Sequence, residues 1–374
     1  MAISSVEPFA PRPMDEIKKE LLERARHNRN PFLYTIYDEV APVIDQLRSV
    51  DREHWAEAFS ALAAPHEERA AKAEAADDRD TAKKEYLLAY DYYHVARYPA
   101  PNSPGKLAAY RRSQGYFDKA ARYFDPPLER IEMPFKGNPG EGVVSIGLLR
   151  KPKSIVKPPV VVIWGGIDAF KEERPSDPYL RAGLATLCID MPGVADAPLA
   201  GSENAERLWD AVFDFIAGRF DLDTGRISIH GGSTGGYWAT KVAHTHAHRL
   251  RAAVNQGGPA HFAFQRDWII KAQRGEYPFE LAETLACAFG RSTGEEWIEY
   301  APKLSLLDQG VLEKPCAPLL CVNGVNDSVF PIADMHLLLD HGNPKAARFY
   351  PGGHMGGGNA QAVIIGWLKE KLSA

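Results

Sequence analysis

The sequence predicts an α/β protein: a mostly parallel, doubly wound sheet with an N-terminal helical domain and a short helical cap insertion. After about residue 126, short β-branched runs alternate with glycine turns and amphipathic helices. Several of these runs are apolar throughout, which is typical of parallel strands covered by helices on both faces. Before that point the pattern is helical, and residues 259–304 have helical texture without a strand.

The helical domain is predicted over residues 1–126, as a lid or dimerisation segment. Near its start, Ile17, Leu21 and Ala25 recur at the spacing of one helix face. Residues 51–98 are rich in Ala, Glu and Lys and poor in Gly, which favours further helices. The segment YPAPNSPG, residues 98–105, interrupts them.

The second domain is predicted over residues 127–374, with the helical insertion at about 259–304 placed as a cap over the carboxyl edge of the sheet. A structureless connection of that length would be unusual in a compact domain. Amphipathic helices are expected between most strands. In chain order, the strands are predicted within residues 142–152, 158–166, 185–193, 226–233, 250–258, 317–327 and 346–354.

The composition argues against some partners. A net charge of -5 gives no support for a nucleic-acid surface. The first residues lack an apolar segment of signal-peptide type, and no apolar run is long enough to span a bilayer. We expect a cytoplasmic protein whose cysteines are buried free thiols, because no CxxC pair occurs. They are Cys188, Cys287, Cys316 and Cys321.

The stretch ISIHGGSTGGYWA, residues 227–239, contains the pattern G-x-S-x-G around Ser233. A β-branched strand precedes it and a helix follows at once, which is the setting of a nucleophile elbow. The sharp turn needs small residues beside the serine. A glycine-rich turn without chemistry is the alternative interpretation.

An acid and a base follow Ser233 along the chain, each directly after a predicted strand. Asp327 follows LLCVNGVN, and His354 follows ARFYPGG. The order Ser, Asp, His is that of the hydrolases with a nucleophile elbow, where imidazole activates the hydroxyl and the acid orients the imidazole. A turn-forming aspartate and a loop histidine are the alternatives. Asp308 competes as the acid but has no strand before it.

Two backbone N–H groups are expected to face the oxyanion of such a reaction. One is that of Thr234, directly after the nucleophile, and the other is that of Ile167, after the strand VVVIW. Gly166 is the second choice for that donor. A plain turn at the strand end is the alternative.

Four further residues are predicted to line the substrate pocket: Asp168, Tyr237, Trp238 and Tyr93. An aromatic lining would suit a planar aromatic or polyketide-like substrate. The alternative is that these rings only pack the helices.

No metal or cofactor is expected. The run HTHAH places His244 and His248 on one helix face without an acidic or cysteine ligand beside them. We interpret it as a solvated helix end.

Five motifs together resemble the α/β-hydrolases with a long helical N-terminal segment. That group includes the 2,6-dihydroxypseudooxynicotine hydrolases and fungal hydrolases that shorten polyketide chains; fermentation-respiration-switch-type esterases are more distant relatives. The resemblance implies a Ser233–Asp327–His354 triad, no metal and commonly a homodimer. The segment PGVADAP departs from the PGxGxS of many hydrolases. The motifs lie at residues 164–173, 190–198, 230–239, 323–331 and 350–356.

The expected function is that of a serine hydrolase acting on a small carbonyl substrate. Because several members of the resembling group cleave a carbon–carbon bond beside a ketone, that reaction is the first expectation. A carboxylesterase or lactonase is the alternative, and a non-catalytic binding protein of the same fold is a second one. Neither nucleic acid nor membrane is expected as a partner.

Overall fold

The computed structural model describes residues 9, 12–342 and 344–373. The segment that bears on a signal peptide therefore lies largely outside the described residues. The chain forms two compact units: Met1–Leu128 with Pro278–Glu280, and Glu129–Tyr277 with Leu281–Ala374.

The first unit is helical. On its first helix, Ile17, Leu21 and Ala25 are buried, as their spacing predicts. Within the interrupting segment, the Ser103 side chain accepts from the Lys106 N–H and caps the last helix of this unit, which begins at Pro104. The α-helices are α1 (Met14–Arg26), α2 (Tyr37–Gln46), α3 (Arg52–Ser60), α4 (Ala63–Ala75), α5 (Arg79–Ala96) and α6 (Pro104–Ala121).

A segment distant in the sequence completes the core of this unit. The Phe279 ring meets Trp55 of α3 edge-on at 5.0 Å between centroids, and Tyr98 at 5.7 Å. Beside it, the Glu280 carboxylate accepts from the Arg52 guanidinium at 2.9 Å. Residues 278–280 therefore belong to the helical unit, although they come from the insertion.

The second unit is built on an eight-stranded sheet in the order β1-β2-β4-β3-β5-β6-β7-β8. β2 runs antiparallel to β4, and the pairs from β4 through β8 are parallel. Every residue of β3, β4 and β7 is buried, which confirms the mostly parallel, doubly covered sheet. The strands are β1 (Leu128–Pro134), β2 (Val144–Arg150), β3 (Pro159–Trp164), β4 (Ala185–Ile189), β5 (Asp223–Gly232), β6 (Ala252–Gln256), β7 (Leu319–Gly324) and β8 (Lys345–Tyr350).

The edge strand β1 is not among the predicted strands. Its sequence LERIEMP carries three charged residues, and only Met133 of the strand is fully buried. An edge strand tolerates charge because one side faces no partner, so it lacks the apolar run of an inner strand.

The helices of the second unit connect its strands. Between β6 and β7 the described chain holds only helical elements, namely three α-helices and three short 3₁₀ turns. The α-helices are α7 (Asp177–Arg181), α8 (Leu208–Ala217), α9 (Thr234–Thr245), α10 (Arg266–Ala272), α11 (Leu281–Ala288), α12 (Gly294–Tyr300), α13 (Ile332–Asp340) and α14 (Ala360–Ser373).

Two smaller expectations need correction. Cys287 is exposed and Cys316 half-buried, so only two of the four thiols are buried. His244 and His246 are buried, because the end of α9 packs against the Lys314 carbonyl and the Asp210 carboxylate. Along the described residues, no helix is both long and apolar enough to cross a membrane.

Candidate active site

A strained turn presents Ser233 between β5 and α9. Ser233 has φ 54° and ψ −133°, a conformation that side-chain-bearing residues rarely adopt. Its N–H donates to the carbonyl of Gln256 at 2.8 Å. A Cβ atom on Gly231 would lie 2.1 Å from the Gly235 carbonyl oxygen, so the turn requires glycine there. These contacts fix the hydroxyl at the carboxyl end of the sheet.

Ser233, His354 and Asp327 lie in one line of hydrogen bonds. The Ser233 hydroxyl donates to His354 Nε2 at 2.8 Å. His354 Nδ1–H donates to Asp327 Oδ2 at 2.8 Å. The three residues come from the ends of three strands, β5, β7 and β8, which the parallel sheet brings to one edge.

The Asp327 carboxylate is buried and fully hydrogen-bonded. Oδ1 accepts from the N–H groups of Val329 and Phe330, at 2.7 and 3.0 Å. Oδ2 also accepts from the Asn323 amide at 2.8 Å. Burial raises the pKa of Asp327, but the charge of His354 and these hydrogen bonds outweigh it and hold the pKa below its ordinary value. The acid is therefore charged at neutral pH.

The loop that carries His354 is held by a second carboxylate. Glu276 Oε1 accepts from the His354 N–H at 3.0 Å and from the Ser328 hydroxyl at 3.2 Å. Burial lowers the pKa of His354, but the charge and hydrogen bond of Asp327 and the charge of Glu276 outweigh it, so the pKa lies above its ordinary value. This environment stabilises an imidazolium.

The loop after β3 lies against Ser233. A Cβ atom on Gly166 would be 2.8 Å from Ser233 Cβ and 3.4 Å from the Thr234 nitrogen. Thr234 begins α9, where the first N–H groups have no partner inside the helix. Ile167 follows in the same loop and is buried. The structure thus places Gly166 and Thr234 beside Ser233, and the donor role of Ile167 stays a prediction.

The residues predicted to line the pocket lie in different places. Asp168 accepts from the Tyr277 hydroxyl at 3.0 Å, beside the loop after β3. Tyr237 and Trp238 are fully buried on α9. Their rings pack on Phe264, at 5.4 Å, and on Trp209, at 5.7 Å.

Tyr93 belongs to the helical unit. Its hydroxyl donates to Glu67, its ring stacks on Tyr116 at 5.8 Å, and the Arg112 guanidinium lies over it at 4.5 Å. These contacts match the alternative interpretation, in which the tyrosines pack the helices.

Four polar residues around the site are missing from the prediction: Gln256, Glu276, Tyr277 and Asn323. Asn323 is the polar residue of an otherwise apolar, buried strand, where an amide needs a partner, and that is a usable signal. Gln256 is half-buried at the end of β6 and follows a second amide, Asn255, so the signal is weaker there. Glu276 and Tyr277 lie in the insertion, which has no motif to mark them. Among the described residues, no group of three or more potential metal ligands occurs.

The geometry supports nucleophilic chemistry. An imidazole whose Nδ1–H is held by a carboxylate, with Nε2 facing a serine hydroxyl, can accept the hydroxyl proton during attack. The helix N-terminus beside the serine favours negative charge there.

Comparisons with known proteins find similarity to proteins named as hydrolases and esterases. The chain is 29% identical over 246 residues to the 20-hydroxy-prefusarin hydrolase of Gibberella moniliformis, covering 61% of this chain and 58% of that protein. It is 23% identical over 332 residues to esterase FrsA of Photobacterium profundum, covering 86% and 77%. The first fungal relatives are matched over little more than half of their length.

The crystal structure of 2,6-dihydroxy-pseudo-oxynicotine hydrolase has the same fold, with a TM-score of 0.75 at 22% identity, covering 90% of this chain and 93% of that one. The expected resemblance and the α/β-hydrolase fold are thereby confirmed. The family model described as "Esterase FrsA-like" matches residues 46–373, nearly the whole chain. With its elbow, its sheet and this match, the chain belongs to the FrsA-like esterase family and has the α/β-hydrolase fold.

Proposed function

We propose that the protein is a serine hydrolase in which Ser233 attacks a carbonyl carbon. His354 accepts the hydroxyl proton, and Asp327 stabilises the imidazolium. The N–H groups of Thr234 and Ile167 stabilise the oxyanion, with Gly166 as the second choice. The observation that carries the proposal is the pair of 2.8 Å hydrogen bonds joining Ser233, His354 and Asp327.

The bond that breaks is proposed to be a carbon–carbon bond beside a ketone. After attack, the leaving group departs as a carbanion delocalised into an enolate or an electron-rich ring, and His354 delivers the proton to carbon. Water then hydrolyses the acyl-enzyme. The resemblance of five motifs to hydrolases of this kind supports the proposal.

The second candidate is the hydrolysis of an aryl or acyl ester or a lactone. There His354 protonates the departing oxygen, which needs no delocalised carbanion. The description of the matching family as esterases favours this candidate. The triad serves both reactions, so the leaving group distinguishes them.

Because apolar side chains pack beside His354, we propose a substrate with an aromatic or aliphatic part. The Phe330 ring meets the His354 ring edge-on at 5.6 Å. Phe330 also lines a small apolar cavity with Phe264, Trp268 and Ile269 of the insertion. Asp168, which accepts a hydrogen bond from the Tyr277 hydroxyl, is the polar group proposed to orient the substrate.

Labelling with a fluorophosphonate tests the nucleophile. We expect one adduct, mapped by peptide mass to Ser233, and none in Ser233→Ala. Ser228→Ala is the matched control, because Ser228 is buried on β5, the strand that leads to Ser233, and its loss should leave labelling unchanged. Labelling of Ser233→Ala at the original rate, or no labelling of the folded protein, would contradict the proposal.

The substrate class needs a second assay. Aryl β-diketones and aryl esters of matched size are compared by kcat/KM. Preference for the diketone supports carbon–carbon cleavage, and hydrolysis of esters alone supports the second candidate. We also propose that the protein works as a homodimer on a small molecule, and light scattering after size exclusion measures its mass.

A further inference from the structure

Gln256, the last residue of β6, contacts both the nucleophile and the loop of the base. Its backbone carbonyl accepts from the Ser233 N–H at 2.8 Å. Its side-chain Nε2 donates to the backbone carbonyl of Met355 at 3.0 Å. Because Met355 directly follows His354, one residue spans the distance between the two reacting groups.

A second amide holds the other side of Met355. Asn323 of β7 accepts from the Met355 N–H at 2.9 Å. Both polar groups of the Met355 backbone are therefore bound by amide side chains from neighbouring strands. Met355 has φ 66°, a conformation that needs support in a non-glycine residue.

The Met355 side chain rests on the ends of the same strands. A Cβ atom on Gly232 would lie 3.0 Å from Met355 Cε, and one on Gly257 would lie 3.0 Å from Met355 Cγ. Glycine at both positions lets the loop of the base come down onto the sheet edge.

Hydrogen bonds from His230 and Tyr179 fix the orientation of the Gln256 side-chain amide. His230 Nε2–H donates to Gln256 Oε1 at 3.0 Å, and the Tyr179 hydroxyl donates to His230 Nδ1 at 2.7 Å. Burial lowers the pKa of His230 to about 4, so the ring is neutral at neutral pH and has one N–H. Because the His230 N–H donates to Gln256 Oε1, the amide nitrogen of Gln256 faces the Met355 carbonyl.

We infer that Gln256 is a positioning residue that keeps the His354 loop in register with Ser233. The inference rests on the proposed function. Asp327 orients the imidazole through a hydrogen bond to the His354 ring. Gln256 instead fixes the position of the backbone that carries this ring, through its hydrogen bond to the Met355 carbonyl. The Gln256 carbonyl keeps Ser233 in place whatever its side chain is, so a substitution affects the base alone.

Gln256→Met removes the amide at nearly constant volume. We expect its rate of hydrolysis of an activated aryl ester to fall about 10²-fold, since a displacement near 1 Å at a reacting group has an effect of that order. In a His354→Ala background, the same substitution should change the residual rate by less than about twofold, because no imidazole remains to be placed.

Equal losses of the hydrolysis rate with His354 present and in the His354→Ala background would overturn the inference. An unchanged rate with His354 present would overturn it as well. Gln256→Asn is the second variant if Gln256→Met does not fold: it keeps an amide that can pair with His230 but is too short to reach Met355 as well. The same loss is expected for it. Hydrolysis or labelling by Ser233→Ala would instead contradict the proposed function, so the two failures are distinguishable.

Discussion

Ser233 and Met355 place two strained backbone conformations beside the proposed reacting groups. They are two of the six described non-glycine residues with positive φ, and they lie on either side of the hydrogen bond between Ser233 and His354. A conformation of this kind costs about 1–3 kcal/mol and persists only when its surroundings hold it. Here the Gln256 carbonyl holds one residue and two side-chain amides hold the other.

The raised pKa of His354 predicts the pH dependence of the reaction. The base must be neutral, so kcat/KM should fall as the pH drops through the pKa of His354, above the ordinary histidine value of about 6.5. Asp327→Asn removes the charge that raises this pKa, so the acid limb should move to lower pH. The rate itself should fall about 10⁴-fold.

A pH–rate profile from pH 4 to 9 for both proteins measures the limb, and circular dichroism over that range checks the fold. An acid limb that stays in place in Asp327→Asn would contradict the assignment of Asp327 as the partner of the base.

Single functional residues could be predicted from the sequence where a residue type suited to catalysis directly follows a predicted strand. Ser233, Asp327 and His354 each follow a strand, and parallel strands bring such ends together. The supporting residues Gln256 and Asn323 are marked only as polar residues near the ends of inner strands, as Asn255 is too. Glu276 could not be found, because its partner, the His354 N–H, is set by tertiary structure.

Among the elements, the nucleophile turn depends most on small residues. In Gly231→Ala, the new methyl group would meet the Gly235 carbonyl oxygen at 2.1 Å. We expect a loss of about 1–3 kcal/mol in the free energy of unfolding and strongly reduced labelling of Ser233. Urea denaturation measures the first effect, and the fluorophosphonate measures the second.

Gly366→Ala is the matched control, because it lies inside α14 with nothing within 4 Å of the added methyl group. It should stabilise the protein by about 0.5–1 kcal/mol, since alanine favours the helix. Equal effects of the two substitutions would show that the turn tolerates a side chain.

The inner strands were predictable as elements, because burial on both faces leaves an apolar run in the sequence. β1 was not, because its charged residues resemble a loop and its place at the edge is decided by pairing with β2. Helical texture in residues 259–304 is matched by α10, α11 and α12. The helical pattern of the insertion does not show that residues 278–280 pack against α3, which lies far earlier in the sequence.

For the whole molecule, Phe279 predicts a stability effect far from its place in the sequence. Phe279→Ala removes a buried ring from between Trp55 and Tyr98. We expect the helical unit to lose about 3–5 kcal/mol of stability. Hydrogen exchange of α3 and α5 amides, followed by mass spectrometry, should show faster opening there.

Phe220→Ala is the control, because Phe220 is 85% exposed and should change stability by less than about 0.5 kcal/mol. Unchanged exchange in α3 and α5 of Phe279→Ala would mean that the ring does not support the helical unit.

The assignment of Pro278–Glu280 to the first unit also limits how this unit can be gained or lost during evolution. A unit encoded by one uninterrupted stretch of a gene can be gained or lost by a single recombination event. This one is encoded in two stretches, so losing only the first would remove Trp55 and Tyr98 from beside Phe279. It would also remove Arg52 from beside Glu280. We expect the helical front and the insertion to be kept or discarded together in the descendants of this gene.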